Sequence, residues 1–384
     1  MSRRVGLAIA AMAATQVAVY IARPMTSYRL LGVGAGAGEI GLVTAAFAIL
    51  PLFLAIPLGR WADCKRLPWV TFGCGIQVIA CGLLGTLHAA FGLGAASALL
   101  GLGHLGVALG VQEVIARESD DEHHDRHFGL LTAGVSLGQL VGPLVGGVIV
   151  GAATGAALVG ASSHALVVAA VVAAVATALA YASERSSRAS HSAQLGPERG
   201  SVRGILTLPG VPAGLLASIA VLSASDVFTA YMPVLGEQRG IAPAAVGILL
   251  ALRAGSTVTA RLGIGWLVTR IGRSRLIAVS AFAAASGFAA MTSTSNVVLL
   301  ALLTLVVGAG LGYGQPLSMT LVVQRVPMHA RATALAVRLT GNRVGQVAAP
   351  AAAGLVAGNA GAGAVFWLLS GFLAVTAVAV GRGG

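Results

Sequence analysis

Asp226 is the one carboxylate deep inside an apolar run of this 384-residue chain, with Ser223, Ser225, Thr229 and Tyr231 nearby and Arg253 and Arg343 at mid-run in later segments. An ionisable group in hydrocarbon is costly, so one that is present there is a candidate for handling ions or protons. A carboxylate can take up and release a proton, and a guanidinium can compensate it or hold an anion. Asp226 falls about 7 residues before the end of its run and Arg253 about 9 after the start of the next, roughly 10 and 14 Å deep. Two consecutive antiparallel helices would therefore bring them together, either as a proton-coupling pair or as a permanent ion pair joining the helices. Glu113 is a further proton-coupling candidate, although Arg117 stands four residues on, where it can pair with it on one helical face. Arg338 lies near the end of its run, where a long side chain can snorkel to the interface.

Three other patterns point to chemistry that their surroundings exclude. Gly134-Val-Ser136-Leu-Gly138 has the spacing of a nucleophile elbow but lies inside an apolar run, not between a strand and a helix. Gly101-Leu-Gly103-His104-Leu-Gly106 has dinucleotide-binding spacing but continues an apolar helix. The stretch Asp120 to His127 is rich in acidic residues and histidine without a fixed ligand spacing, and is expected to be a polar turn. No enzyme, cofactor or metal site is expected.

The elements that must position these residues follow from composition. With 57% hydrophobic and 9% charged residues, the chain cannot clothe a water-soluble core, so lipid must be its solvent. Apolar runs lie near 5–27, 40–59, 68–88, 93–114, 128–150 and 164–182, then near 212–233, 244–265, 276–295, 297–320, 333–357 and 364–381. Residues 1–182 are thus expected to form one six-helix bundle and 205–384 a second, with 183–204 as a polar, disordered linker. Arg3 and Arg4 precede the first run, which is read as a span and not as a signal peptide. The net charge of +12 would suggest nucleic acid in a soluble protein, but here it reports orientation. Of the 24 Lys and Arg, seventeen fall on the side of both termini and only Arg29 and Arg239 on the other, which puts both termini in the cytoplasm. Cys64, Cys74 and Cys81 lack metal or redox spacing and are read as packing residues.

The second half repeats the first. A shift of 206 residues aligns Gly41 with Gly247 and Gly59 with Gly265. A shift of 207 aligns Gly101 with Gly308, Gly103 with Gly310, Gly138 with Gly345, Pro143 with Pro350 and Gly147 with Gly354.

The most specific pattern is Gly129, Gly138, Gly142-Pro143 and Gly146-Gly147 within one span, where missing side chains let another backbone approach and the proline permits a bend. Close backbone approach is expected at Gly142 and Gly146 in particular. This spacing resembles the antiporter motif in the fifth transmembrane helix of the major facilitator superfamily (MFS). Two loops, Gly59-Arg-Trp-Ala-Asp63-Cys64-Lys65-Arg66 and Gly265-Trp-Leu-Val-Thr269-Arg270-Ile-Gly272-Arg273, resemble that family's cytoplasmic motif. They depart from it at Cys64, where arginine is usual, and at Thr269, where aspartate is usual. Ser97 stands where the family often has the arginine of span four, so a proton-relay role for that arginine does not carry over.

The resemblance implies an all-α membrane protein of twelve transmembrane helices in two pseudo-symmetric bundles, working by alternating access. It implies a cytoplasmic latch at Asp63 and the loop arginines. It also implies a central cavity walled by spans one, four, seven and ten, where Gln16, Tyr20, His104, Gln112, Asp226, Tyr313 and Gln315 fall. The expected function is proton-coupled efflux of a small, partly apolar compound across the cell membrane. The alternatives are an uptake permease for an anionic metabolite, suggested by the arginines inside the spans, and a non-transporting membrane sensor or scaffold. Expected partners are the lipid bilayer, a small-molecule substrate and protons, with no nucleic acid.

Overall fold

The structure is a computed structural model that describes residues 2–64, 68–118, 121–185, 202–327 and 330–383. In an apolar solvent each backbone N–H and C=O must be satisfied within its own segment, and the described chain is correspondingly helical. The first half forms α1 (Arg3–Gly32), α2 (Ala37–Cys64), α3 (Trp69–Thr86), α4 (Ala90–Glu118), α5 (Asp121–Val150) and α6 (Ala157–Arg185). The second forms the short α7 (Val202–Leu206), then α8 (Val211–Gln238), α9 (Pro243–Leu262), α10 (Ile264–Ile271), α11 (Arg273–Met291), α12 (Val297–Arg325) and α13 (Arg331–Gly383). Helix α13 is broken at Gly361, whose φ of 79° and ψ of 170° suit a residue without a Cβ. Its parts, 331–360 and 362–383, are the eleventh and twelfth spans, and α9 with α10 makes the eighth.

Several ends follow from local chemistry. Ser2 Oγ accepts from the Val5 N–H at 3.2 Å, and Asn296 Oδ1 accepts from Val298 and Leu299 at 2.9 and 3.2 Å, so both cap helix starts. Several helices run further than the apolar runs suggest, α4 by three residues at its start and four at its end, whereas α3 stays within its run. The stretch 121–127 is not the polar turn expected but the first turns of α5. No glycine or proline interrupts it, and acidic residues are favourable at a helix N-terminus. His127 within it is buried. Of the expected linker, 186–201 lie outside the described residues, whereas Ser183 is buried and donates to the Arg4 carbonyl at 2.9 Å.

The chain divides into two compact units, Met1–Gln194 with Ala242–Ala251, and Leu195–Ile241 with Leu252–Gly384. In the first, α1 packs against α5 and α6, α3 against α4 and α6, and α2 against α4. Glu184, at the end of α6, accepts from the N–H of Val70 at 3.0 Å and from Thr71, filling vacant donors at the start of α3. In the second, α8 packs against α12 and α13, and α11 against α12 and α13.

The repeat reappears as duplicated contacts inside each unit. Gly101 lies against the Phe47 carbonyl, and Gly308 against that of Arg253. A Cβ on Gly103 would stand 2.7 Å from the Gly73 carbonyl oxygen, and one on Gly310 2.5 Å from that of Ser280. Gly138 lies against Gln16, and Gly345 against Ser223. The two arginines that broke the charge asymmetry are also equivalent. Arg29 donates to the carbonyls of Leu87 at 2.6 Å and Val159 at 3.3 Å and to Ser163 Oγ. Arg239 donates to the carbonyls of Met291 at 2.7 Å, Thr292 at 2.8 Å and Thr294. Each reaches the turn between the third and fourth spans of its half, and Arg29 reaches the start of α6 as well, satisfying carbonyls near helix ends.

Candidate functional site

A buried polar cluster lies in the second unit, where α8 receives side chains from α9 and α13. Asp226 is 4% exposed, and its Oδ2 accepts from Gln346 Nε2 at 2.7 Å. Gln346 Oε1 accepts from Arg343 Nη1 at 3.1 Å, so one amide bridges the carboxylate and a guanidinium on the adjacent turn of α13. From α9, Arg253, likewise 4% exposed, donates from Nη1 to Ser225 Oγ at 2.9 Å, the residue beside Asp226. The longer helices put Asp226 twelve residues from the end of α8 and Arg253 ten from the start of α9, about 18 and 15 Å deep. Three of the four proton-coupling candidates thus share one cluster. Protonating Asp226 there removes the negative charge to which Gln346 bridges Arg343.

Sequence reasoning placed Ser225 beside Asp226 but missed Gln346, which bridges the carboxylate to Arg343. A buried amide inside a span is itself uncommon, and Gln346 follows Arg343 by three residues on one helical face. A second network lies about two turns along α8 from the first, toward its start. Ser218 Oγ donates to Asn342 Oδ1 at 2.9 Å, and Gln315 Nε2 donates to the Ser218 carbonyl at 2.7 Å. Arg338 Nη2 donates to Gln315 Oε1 at 2.7 Å and to its carbonyl at 3.0 Å. Arg338 therefore does not snorkel as its sequence position suggests; at 6% exposure it ties α13 to α12. Tyr313, half-buried, packs near Leu317 and Leu321.

In the first unit, α1 presents Gln16 and Tyr20 to α5. Gln16 is buried, and the Tyr20 hydroxyl accepts from Gln139 Nε2 at 3.0 Å. A Cβ on Gly142 would stand 2.7 Å from Tyr20 Cβ and 2.9 Å from the Val17 carbonyl oxygen. Gly146 departs from the expectation of backbone approach: its neighbour is the flexible Met25 side chain, at 3.1 Å. Gly147 does meet backbone, 2.9 Å from the Gly247 Cα, and the Ala244 N–H donates to the Gly151 carbonyl at 3.1 Å. A Cβ on Gly129 would meet no other helix within 4 Å among the described residues. His104 stacks on Phe47 with ring centroids 5.9 Å apart, and the Arg23 guanidinium lies 5.0 Å from the Phe47 centroid. Gln112 is exposed. Glu113 pairs with Arg117 at 2.8 Å, as their spacing suggested.

Of the first loop motif, Lys65 and Arg66 lie outside the described residues, and for Gly59 and Asp63 only the helical backbone of α2 is described. In the second, Gly272 takes φ 79° between α10 and α11, and Gly265 is open. Arg270 lies 4.3 Å from the Trp266 ring centroid, and Arg273 donates to Gln324 Oε1 at 3.0 Å. Thr269, standing where aspartate is usual, donates to the Trp266 carbonyl of its own helix at 2.8 Å.

The family model described as Major Facilitator Superfamily matches residues 6–241 and, again, 214–382. The chain belongs to the Major Facilitator Superfamily. Solved transporters share the fold of this MFS chain at low identity. The nucleoside transporter NupG superposes with a TM-score of 0.76 at 16% identity, covering 100% of this chain and 99% of that one. A bacterial homolog of the human lysosomal transporter Spinster, inward-facing and occupied, gives 0.79 at 16% identity over 100% and 98%. A POT family transporter in complex with 5-aminolevulinic acid gives 0.79 at 12% identity over 98% and 95%. No curated protein matches the sequence. Family and fold make this chain a multi-pass membrane protein of twelve helices and a secondary transporter of small molecules.

Proposed function

We propose that this MFS chain is a proton-coupled transporter of the cell membrane, with both termini cytoplasmic and Asp226 as its coupling carboxylate. The observation that carries the reading is a nearly fully buried carboxylate, mid-span, hydrogen-bonded through Gln346 to Arg343 and flanked by Arg253 on Ser225. Protonation of Asp226 weakens these contacts and frees α13 and α9 to take other partners, which ties a proton to the rocking of helices in alternating access. The glycine-proline pattern of α5 supports export of a small, partly apolar compound in exchange for protons. A second reading, uptake of an anion, is favoured by the arginines inside the spans, of which Arg253 and Arg343 are held beside Asp226 through Ser225 and Gln346. The test uses proteoliposomes with an imposed pH gradient and a substrate identified from a panel. Asp226→Asn is expected to lose gradient-driven accumulation while retaining exchange of labelled for unlabelled substrate. Normal pH-gradient dependence in that variant sinks the assignment.

A further inference from the structure

We propose that the second unit carries a binding site for an uncharged, partly apolar molecule with one hydrogen-bonding group, in a cavity between α8 and the two parts of α13, where Ser223 meets that group. The proposal does not rest on Asp226 as the coupling carboxylate, and its test involves no gradient, so failure of either reading leaves the other standing.

The cavity follows from small residues at helical spacing. Gly341, Gly345 and Ala348 recur every three or four positions along the first part of α13 and line one wall. Ile219 and Ser223 of α8 line a second, and Trp367 and Phe372 come from the part of α13 beyond the break at Gly361. The volume is about 1070 Å³, at the top of the range of small-molecule pockets, and all the lining residues belong to the second unit. A Cβ on Gly345 would stand 2.5 Å from Ile219 Cγ2 and 2.7 Å from Ser223 Oγ. The side chain that Gly345 lacks thus leaves the Ser223 hydroxyl at the wall.

The chemistry of the wall selects the ligand. Among the described residues no charged side chain lines the cavity, and the polar ones are Ser223, Thr333 and Thr340. A charged group would lose its hydration there without compensation, so the ligand is uncharged and its body apolar. Ser223 is fully buried, and among the described residues its hydroxyl has no hydrogen-bond partner. Neighbouring hydroxyls have one. Ser218 donates to Asn342 at 2.9 Å, and Thr229 and Thr376 each donate at 2.8 Å to the carbonyl four residues back. A buried hydroxyl without a partner is costly, and a ligand that supplies one removes that cost on binding. A hydrocarbon tail supplies none, which separates this site from a groove filled by lipid. Trp367 and Val375 at the cavity are exposed side chains inside a span, so a molecule dissolved in the bilayer reaches it. Ser223 precedes Asp226 by three residues and Gly345 adjoins Gln346, so the occupant stands about one helical turn from the carboxylate cluster.

The test is photolabelling of the purified full-length protein in phosphatidylcholine nanodiscs, with labelled residues mapped by mass spectrometry. The probe is a benzyl alcohol carrying a trifluoromethyl-diazirine, compared with the same aryl diazirine without the hydroxymethyl group. The alcohol is expected to label the Trp367 and Phe372 segment saturably and to be displaced by excess naphthylmethanol, but not by methylnaphthalene. Ser223→Ala is expected to weaken the alcohol about 2- to 10-fold, as loss of one neutral hydrogen bond would, and to leave the parent diazirine unchanged. Its folding should not suffer, because the hydroxyl removed has no partner among the described residues. Ala348→Phe, at an exposed position on the wall, is expected to fill the cavity and abolish saturable labelling. The comparison of the two probes on the unaltered protein needs no variant to fold. Equal labelling by both probes, or labelling by the alcohol that ignores Ser223→Ala, would show a groove filled by lipid only and overturn the proposal. So would the absence of saturable labelling in either part of α13.

Discussion

Two alanine substitutions in α5, four residues apart, should differ sharply. At Gly142 a new Cβ would stand 2.7 Å from Tyr20 Cβ, 2.8 Å from the Tyr20 carbonyl carbon and 2.9 Å from the Val17 carbonyl oxygen. Carbon pairs settle near 3.5–4.0 Å, so α1 would have to retreat by about 0.8 Å. Two of the three obstacles are backbone atoms, which no rotamer change can move. Overpacking of this kind costs about 1–3 kcal/mol. At Gly146 the neighbours are Met25 Cε, Cγ and Sδ at 3.1–3.4 Å, on a side chain with three rotatable bonds. There the cost should stay within about 0.5 kcal/mol. If the retreat of α1 falls on one transport conformer more than the other, about 1–3 kcal/mol shifts their ratio by about 5- to 150-fold. Thermal unfolding of the two purified variants, with transport rate as a second readout, checks this. Gly142→Ala should unfold at a clearly lower temperature and transport poorly, while Gly146→Ala stays near the parent. Equal behaviour of the two would refute the claim that backbone approach, and not mere smallness, is what Gly142 supplies.

Arg29→Ala and Arg239→Ala should each lower thermal stability by about 1.5–3 kcal/mol, because each removes charged donors from carbonyls near helix ends. Lysine should restore little, since one ammonium cannot reproduce the fork. Topology is open to reporter fusions: cytoplasmic reporters should be active near Arg188 and Arg273, and periplasmic ones near Glu237. A periplasmic signal at Arg188 would reverse the orientation.

Much of this protein is set by its sequence, because the bilayer leaves few choices. Apolar runs without water must become helices, so the twelve spans, and the repetition of one half in the other, are legible from hydropathy and from glycines that recur at 206 and 207 residues. Asp226, Arg253 and Arg343 are legible for the same reason: charge in hydrocarbon is rare enough to stand out. Tertiary packing decides which polar groups meet. Gln346 as the bridge to Arg343, Arg338 held between helices instead of snorkelling, and the turn of acidic residues that became the start of α5 depend on partners far away in the chain or on neighbours that one-dimensional spacing does not rank. The glycines of α5 make the same point. All of them satisfy one spacing pattern, yet Gly142 meets main chain, Gly146 a pliable methionine and Gly129 no other helix among the described residues, because what a missing side chain is worth depends on the atom that fills its place.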